Sequence, residues 1–196
     1  MCIRDRYLLL LNNDTEMIND DCLNELLSYT ERDDVGITGA RLLYEDNTVQ
    51  HAGVVIGYNG LAGHTFVGNE PDDVGYHAYV IQARDYSAVT AACLMVKASL
   101  YDEVGGFEEE LEVAFNDVDF CLKVREKGYL VVYNPYAGLY HYESKSRGYE
   151  DTPEKRNRFE KEAFFTYNKW EKILADGDPC YNPNLTLSNS DFSLRE

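Results

Sequence analysis

Apolar and polar positions alternate along the chain in short blocks, and their spacing predicts both strands and helices. The run over 7–11 (YLLLL) is apolar at every position, which is typical of a short strand buried on both faces in a parallel sheet. Further strands are predicted from apolar, β-rich runs over 35–43, 49–57, 87–96, 129–133 and 138–142. Together with the helices described next, these strands indicate an α/β domain.

Short helices are predicted where apolar residues recur at helical spacing. One follows the capping residues Asn19, Asp20 and Asp21. A second covers 98–104 and is broken by two glycines. A third covers 117–127, and the glycine just beyond its end is a common helix terminator.

The longest predicted helix begins at Thr152 and Pro153, a favourable cap followed by proline at the first position. It presents one apolar stripe formed by Phe159, Ala163, Tyr167, Trp170 and Leu174. The glycine-containing segment 57–75 is predicted to be a long surface loop, and 176–196 an irregular arm packed on the surface.

The composition limits the classes of partner. The chain of 196 residues suits a single domain and has 35 acidic against 18 basic residues, a formal net charge of −17. Such a field repels nucleic acids and anionic membrane surfaces, so we expect no nucleic-acid partner. The first apolar run is shorter than a signal sequence or a transmembrane segment, which need about 7–15 and about 20 residues. Five scattered cysteines without a C-x-x-C pair favour a reducing cytosol.

The first polar segment with candidate chemistry directly follows the apolar run at 7–11. Asn12, Asn13 and Asp14 stand where that strand ends, and ligands of open α/β sheets collect outside the carboxyl ends of strands. A single carboxylate flanked by neutral amides suits a divalent cation that also binds water and phosphate oxygens. The alternative is an ordinary turn, because asparagine and aspartate are turn residues.

A pair of acids opens the predicted helix at 117–127. Asp117 and Asp119 follow the apolar Val113, Ala114 and Phe115, which favours a position in a cleft. There, one acid could accept a proton while the other supports it through a hydrogen bond. The alternative is a helix cap or a first-turn acid that complements the helix dipole.

The third segment is a cationic, hydroxyl-rich loop after the last predicted strand. Lys145 and Arg147 could bind a diphosphate with help from Ser144, and a solvated surface loop is the alternative. His141, at the start of this segment, could be a metal ligand, a phosphate partner or a core histidine. No role is assigned to the remaining histidines, which are His51, His64 and His77.

Five motifs, taken in order, resemble family-two glycosyltransferases of the GT-A fold, and more closely the bacterial members that build surface polysaccharides. They are LLLNNDT (9–15), VTAACL (89–94), VGGF (104–107), AFNDVDFCL (114–122) and HYES (141–144). The similarity extends through 178–185, so it runs from about residue 7 to the end of the chain. It implies a GT-A-like (Rossmann-like) mixed sheet flanked by helices.

The resemblance also implies an activity, namely transfer of a hexose or deoxyhexose from a nucleotide-diphosphate sugar donor to a saccharide or lipid-linked saccharide acceptor, with inversion. Asp14 matches the last acid of the family's D-x-D motif and His141 the first residue of an H-x-x-S motif, and both would hold Mg²⁺ or Mn²⁺. Asp117 matches the catalytic base, which Asp119 would support. The implied donor-binding residues are Asn12, Asn13, Thr90, Ala92, Ser144, Lys145 and Arg147. All of this requires Asp14, Asp117 and His141 to line one cleft.

The resemblance begins inside the family's domain, so we expect a GT-A domain truncated at the N-terminus, without its nucleotide-binding half. Residues 1–6 are interpreted as a leader foreign to the domain, 7–175 as the C-terminal portion of the domain, and 176–196 as the irregular arm. A truncated domain is expected to bind nucleotide weakly and to turn over little. The expected location is the cytoplasm, with a peripheral position at the inner face of the membrane as an alternative.

Two other functions stay open at this point. A metal-dependent nucleotidyltransferase also pairs acids with a cation, but it usually carries a glycine-rich phosphate loop with a basic residue, and the sequence contains no such run. A non-catalytic carbohydrate-binding or interaction module is favoured by the 16 tyrosines, whose rings could stack on sugars.

Overall fold

The computed structural model describes residues 6–142 and 152–195. The strands are β1 (Tyr7–Leu11), β2 (Thr15–Met17), β3 (Val35–Leu43), β4 (Val49–His51), β5 (Val54–Ile56), β6 (Ala62–His64), β7 (Arg84–Asp85), β8 (Cys93–Lys97) and β9 (Leu130–His141). The helices are α1 (Cys22–Thr30), α2 (Ala98–Glu103), α3 (Asn116–Glu126), α4 (Pro153–Lys169) and α5 (Glu171–Asp176). Within the described ranges, no helix is both long and apolar enough to cross a membrane.

The main sheet has the strand order β1-β8-β3-β9-β2, with β4 paired to β3 and β7 paired to β9. Strands β3 and β9 run parallel, whereas the pairs β1–β8, β8–β3 and β2–β9 are antiparallel. Side chains of β3 alternate between two core clusters, because successive residues of a strand point to opposite faces. Ile37 belongs to the cluster that contains α2 and α3 residues, and Leu42 to the one that contains α1 residues. The predicted mixed sheet flanked by helices is therefore confirmed.

The first strand differs from its prediction. Strand β1 pairs antiparallel with β8, and its residues are half-buried or exposed rather than buried on both faces. Both faces of β1 are partly covered, since Leu8 and Leu10 pack against one core cluster and Tyr7 and Leu9 against the other. An unbroken apolar run does not distinguish partial from full burial.

Three other predicted strand boundaries also change in the structure. The segment 49–57 divides into β4 and β5 at Gly53, whose φ of +108° interrupts the extended backbone. The two strands predicted around Asn134 and Pro135 are one strand, β9, with an irregular register opposite Ala40 and Arg41. Strand β8 begins at Cys93, so the apolar residues that precede it form a loop instead.

The three short helices are confirmed as α1, α2 and α3, and α4 begins as predicted, because Thr152 Oγ1 accepts the amide hydrogen of Lys155 at 3.3 Å. The predicted apolar stripe is correct at its C-terminal end, where Trp170 is buried and Leu174 packs against the core, but it is wrong along α4. Phe159 and Tyr167 are 43% and 48% exposed, whereas Glu162 and Thr166 are buried. The face of α4 is decided by a specific polar contact, since Glu162 Oε2 accepts the amide hydrogen of Ala114 at 2.6 Å.

The segment after α5 is part of the core rather than a surface attachment. Tyr181, Leu185 and Phe192 are buried, and the ring of Phe192 stacks on that of Phe66 with centroids 4.7 Å apart. Phe66 lies in the 57–75 segment, so that segment is not purely a surface loop either. The two segments cover each other's aromatic side chains, an association that local sequence patterns do not show.

Candidate functional site

A single cleft of about 1020 Å³ lies where the end of β1, the loop before β8, the start of α3 and the end of β9 meet. The residues that line it include Asn12, Asn13, Asp14, Thr90, Ala91, Ala92, Asp117 and His141. The structure thus brings Asp14 together with Asp117 and His141, both of which lie more than a hundred positions further along the sequence.

Strand pairing places Asp14 beside His141. Strand β2 begins at Thr15, which is opposite His141 in the antiparallel β2–β9 pair. The Asp14 carbonyl accepts the amide hydrogen of Tyr142 at 2.9 Å, which extends this pairing to the cleft. The backbone N–H of Asn12 donates to the Ala92 carbonyl at 3.0 Å, which connects the turn at 12–14 to the loop before β8.

One end of the cleft has side-chain chemistry suited to a divalent cation. Asp14 Oδ1 lies 3.3 Å from His141 Nε2, and Asn12 Nδ2 lies 3.2 Å from the same nitrogen. Carboxylate oxygen and imidazole nitrogen are ligands that Mn²⁺ accepts. In the described part of the chain no group of three or more His, Cys, Asp or Glu side chains forms a metal cluster. Such a two-residue set fits a cation that takes its other ligands from water and from a diphosphate.

The other end of the cleft holds Asp117 in the first turn of α3. Its Oδ2 accepts the amide hydrogen of Ala91 at 3.2 Å, and its Oδ1 accepts that of Val118 at 2.9 Å. Phe115, which caps the helix, has a φ of +60°, a left-handed conformation that is uncommon for a residue with a side chain. The backbone therefore turns sharply to present a half-buried carboxylate to the cleft, fixed in orientation by two amides.

Asp119 does not reach the cleft, which corrects the expectation that it supports Asp117. Its side chain is fully buried on the other side of α3, where Oδ1 accepts a hydrogen bond from Trp170 Nε1 at 2.8 Å and lies 2.8 Å from Lys169 Nζ. Oδ2 lies 3.5 Å from Lys123 Nζ. Residues two apart on a helix point about 200° apart, so Asp117 and Asp119 could not both face one cleft.

Ser144, Lys145 and Arg147, the predicted diphosphate-binding residues of the cationic loop, lie outside the described residues. Their positions relative to the cleft therefore stay predictions. The other predicted donor-binding residues, Asn12, Asn13, Thr90 and Ala92, all line the cleft.

Several residues around the cleft belong to none of the predicted motifs. Gln50 lines it, with Oε1 2.7 Å from His141 Nδ1, and His64 lines it with Nδ1 3.1 Å from the Gln50 carbonyl. His51 is fully buried behind the cleft, where Nε2 accepts the amide hydrogen of Thr90 at 3.4 Å. Because side chains alternate along a strand, Gln50 and His51 could be predicted to point to opposite faces of the sheet. The residues that they contact could not be predicted.

Aromatic rings form the wall of the cleft next to Asp117. Phe107, Phe115 and Phe159 line it, and the rings of Phe115 and Phe159 are 5.5 Å apart. The exposed position of Phe159, which the amphipathic pattern did not predict, places an apolar ring at the rim of the cleft.

The His51→Gln variant is expected to lose part of the protein's acid sensitivity. Burial, with smaller contributions from His64 and His141, holds the pKa of His51 well below its ordinary value of 6.5. The folded state keeps this ring neutral, while the unfolded chain takes up a proton below about pH 6.5. The free energy of unfolding therefore falls as the pH decreases below 6.5, by up to about 1.4 kcal/mol per pH unit from this group.

Urea unfolding at pH 7.5, 6.5 and 5.5 measures this effect, with His77→Gln as the matched control because the His77 ring is exposed. The decline in stability below pH 6.5 should be smaller in His51→Gln and unchanged in His77→Gln. Equal declines in all three proteins would contradict the assignment.

Comparison with solved structures identifies the fold. The chain superposes on GalNAc-T7, solved with UDP, GalNAc and Mn²⁺, with a TM-score of 0.61 and 11% identity over 87% of this chain and 33% of that one. It superposes on the mannosyltransferase PcManGT from Pyrobaculum calidifontis, solved with GDP-Man and Mn²⁺, with a TM-score of 0.52 and 14% identity over 85% of this chain and 39% of that one. The protein is a mixed α/β domain with the GT-A-like fold of glycosyltransferases, as the sequence motifs predicted.

Sequence relatives make the relationship more specific. The chain is 37% identical over 190 residues to the O-antigen biosynthesis protein RfbC of Myxococcus xanthus. This match covers 96% of this chain and 14% of that protein. It is 49% identical over 192 residues to protein y4gI of Sinorhizobium fredii, or 97% of this chain and 21% of that protein. A 60-residue match at 35% identity relates it to the N-acetylglucosaminyl-diphospho-decaprenol L-rhamnosyltransferase of Mycobacterium tuberculosis, over 31% of this chain and 20% of that enzyme.

The chain is thus a glycosyltransferase-like domain homologous to RfbC and to this rhamnosyltransferase, and related to polysaccharide biosynthesis proteins. The chain spans about a fifth or less of the length of y4gI and RfbC. No family model matches the chain.

Proposed function

We propose that this domain is an inverting glycosyltransferase that moves a sugar from a nucleotide-diphosphate donor to a saccharide or lipid-linked saccharide acceptor during polysaccharide synthesis. One observation carries the proposal: an Asp14–His141 pair and a separately held carboxylate, Asp117, line the same cleft. The Asp14–His141 pair could hold the cation that binds a diphosphate, and Asp117 could accept the proton of an acceptor hydroxyl. The relationship to RfbC and the rhamnosyltransferase supports the polysaccharide context.

The donor end of the proposed site is the end that contains Asp14 and His141. These two side chains would hold Mg²⁺ or Mn²⁺, which when bound offsets the negative charge of the diphosphate and stabilises it as a leaving group. Asn12, Asn13, Thr90 and Ala92 line the same cleft and would contact the donor. The solved structures that share the fold contain UDP or GDP-Man together with Mn²⁺, which supports this class of ligand. By resemblance, Ser144, Lys145 and Arg147 would add charge and hydrogen bonds to the diphosphate.

The acceptor end is the end that contains Asp117. In the proposed step Asp117 takes the proton of the acceptor hydroxyl while that oxygen forms a bond to the anomeric carbon of the donor sugar. The bond from the anomeric carbon to the diphosphate oxygen breaks, and its electron pair leaves with the diphosphate. The Ala91 and Val118 amides hold the carboxylate in one orientation for this proton transfer. The ring of Phe159 and that of Phe115 offer an apolar surface against which an acceptor sugar could pack.

The experiment is calorimetric titration of the chain with UDP- and GDP-sugars, with Mn²⁺ or with EDTA. An assay for nucleoside diphosphate released in the presence of a saccharide acceptor accompanies the titration. We expect binding that requires Mn²⁺ and is lost in Asp14→Asn, and unchanged binding in Asp20→Asn, a matched change at an exposed residue that does not line the cleft. High protein concentrations allow weak binding to be measured.

Metal-independent binding of nucleotide sugars that survives Asp14→Asn would contradict the proposal. Binding of saccharides without any effect of nucleotide or Mn²⁺ would instead favour a non-catalytic carbohydrate-binding module.

A further inference from the structure

The short strand β4 holds the residue that fixes the orientation of His141. All three residues of β4 are buried, and Gln50 is only 3% exposed. Pairing with β3, where His51 is opposite Leu42 and Val49 opposite Leu43, fixes the backbone of this strand. The position of the Gln50 side chain is therefore set by a buried part of the sheet rather than by a surface loop.

Gln50 binds His141 at two points. Its Oε1 lies 2.7 Å from His141 Nδ1, and its Nε2 donates to the His141 carbonyl at 3.2 Å. Because the amide nitrogen is used as a donor to that carbonyl, the oxygen faces the ring. A carbonyl oxygen only accepts hydrogen bonds, so His141 must carry a hydrogen on Nδ1.

This contact decides what His141 offers to the cleft. In the neutral ring with hydrogen on Nδ1, the other nitrogen, Nε2, carries no hydrogen and is an acceptor. That nitrogen accepts a hydrogen bond from Asn12 Nδ2 at 3.2 Å and lies 3.3 Å from Asp14 Oδ1. The electron pairs of His141 Nε2 and Asp14 Oδ1 thus face each other. A cation bound to both atoms would remove the repulsion between them.

We propose that Gln50 is the positioning residue of the metal site. Gln50 holds His141 in the form with hydrogen on Nδ1 and so aims Nε2 at the cation that His141 and Asp14 would hold together. The inference rests on the proposed function, because it assigns a residue to the metal end of the same site. Metal-binding histidines commonly donate their second ring N–H to a carbonyl or carboxylate, and loss of that partner lowers metal affinity about 10- to 100-fold.

Two variants of Gln50 test whether its hydrogen bond to His141 Nδ1, rather than its side-chain volume, is what matters for metal binding. Gln50→Met keeps a side chain of similar length without an acceptor for Nδ1–H, and should weaken Mn²⁺ binding about 10- to 100-fold. Gln50→Glu keeps an acceptor and should retain an affinity close to that of the unsubstituted chain. Electron paramagnetic resonance of free Mn²⁺ in titrations of each protein measures the affinity, and circular dichroism on heating checks that each variant is folded.

A second measurement needs no substitution. Long-range proton–nitrogen NMR correlation of the histidine rings in the metal-free chain should show His141 with its hydrogen on Nδ1, and Gln50→Met should lose this preference. A merely structural role for Gln50 would change the unfolding temperature without changing the tautomer. A hydrogen on Nε2 with none on Nδ1 in the unsubstituted chain would overturn the inference.

The outcomes also separate this inference from the proposed function. Mn²⁺ binding that is lost in Asp14→Asn but kept in Gln50→Met would overturn the role of Gln50 alone. Absence of Mn²⁺ binding by the unsubstituted chain, or equal binding by Asp14→Asn, would overturn the metal site and the inference with it.

Discussion

The Asp117→Asn variant is expected to transfer sugar about 10²- to 10⁴-fold more slowly than the unsubstituted chain, with donor binding unchanged. Asparagine has nearly the same shape, and its side-chain oxygen can still accept the amide hydrogen of Ala91 that Asp117 accepts at 3.2 Å. The neutral amide cannot take the proton of the acceptor hydroxyl. The change therefore removes the proposed base and keeps the hydrogen bond from Ala91, while the one that Oδ1 accepts from the Val118 amide is lost.

Single-turnover assays with the protein in excess over a labelled nucleotide sugar measure this rate, because they detect slow chemistry without repeated turnover. The matched control is Asp102→Asn, which makes the same change at an exposed residue of α2 that does not line the cleft. Transfer at an undiminished rate in Asp117→Asn would remove the base assignment, whatever the metal dependence proves to be.

The Asp119→Ala variant should lose stability rather than chemistry, by about 3 kcal/mol in the free energy of unfolding. The carboxylate is fully buried and lies 2.8 Å from Lys169 Nζ, and it accepts the indole hydrogen of Trp170 at 2.8 Å. Its removal leaves a buried indole donor without its acceptor and the partly buried lysine with Glu108 as its remaining partner. Removing one member of a buried ion pair costs more than the pair itself contributes.

Urea unfolding of Asp119→Ala, compared with Glu108→Gln, tests this assignment. Glu108 pairs with the same lysine, at 2.9 Å, but its side chain is 30% exposed, so its replacement should cost about 1 kcal/mol or less. A large loss of transfer rate in Asp119→Ala with normal stability would show instead that Asp119 acts on the reaction through Asp117.

The positions of most secondary-structure elements follow from local sequence. The apolar, β-rich run of β3, the cap and proline that begin α4, and the glycine beyond α3 act over a few residues, so their effects can be read from the sequence. The face that α4 buries could not be predicted in this way. Glu162 is buried because the Ala114 amide supplies its hydrogen-bond donor, and that amide is distant in sequence.

The candidate site likewise contains residues that local sequence predicts and residues that it does not. Asp14, Asp117 and His141 could be selected from motifs, since each is a residue type with metal or acid–base chemistry in a recognisable local context. Gln50 could not, because a neutral amide in a short buried strand has no such signal until His141 is placed 2.7 Å away. The expectation that Asp119 supports Asp117 is wrong, because residues two apart on a helix face different sides, and Asp119 is buried on the side of α3 away from the cleft.

By itself, the sequence determined the class of fold, the order of the elements and the candidate acid and metal-binding residues, because propensities, caps and residue chemistry are local properties. The tertiary structure alone decided which side chains meet. The β2–β9 register brings Asp14 to His141, β4 brings Gln50 to the same ring, and the amide of Ala91 orients Asp117. These contacts join residues that are far apart in the chain, and only the packing of the whole sheet and its helices fixes such distances.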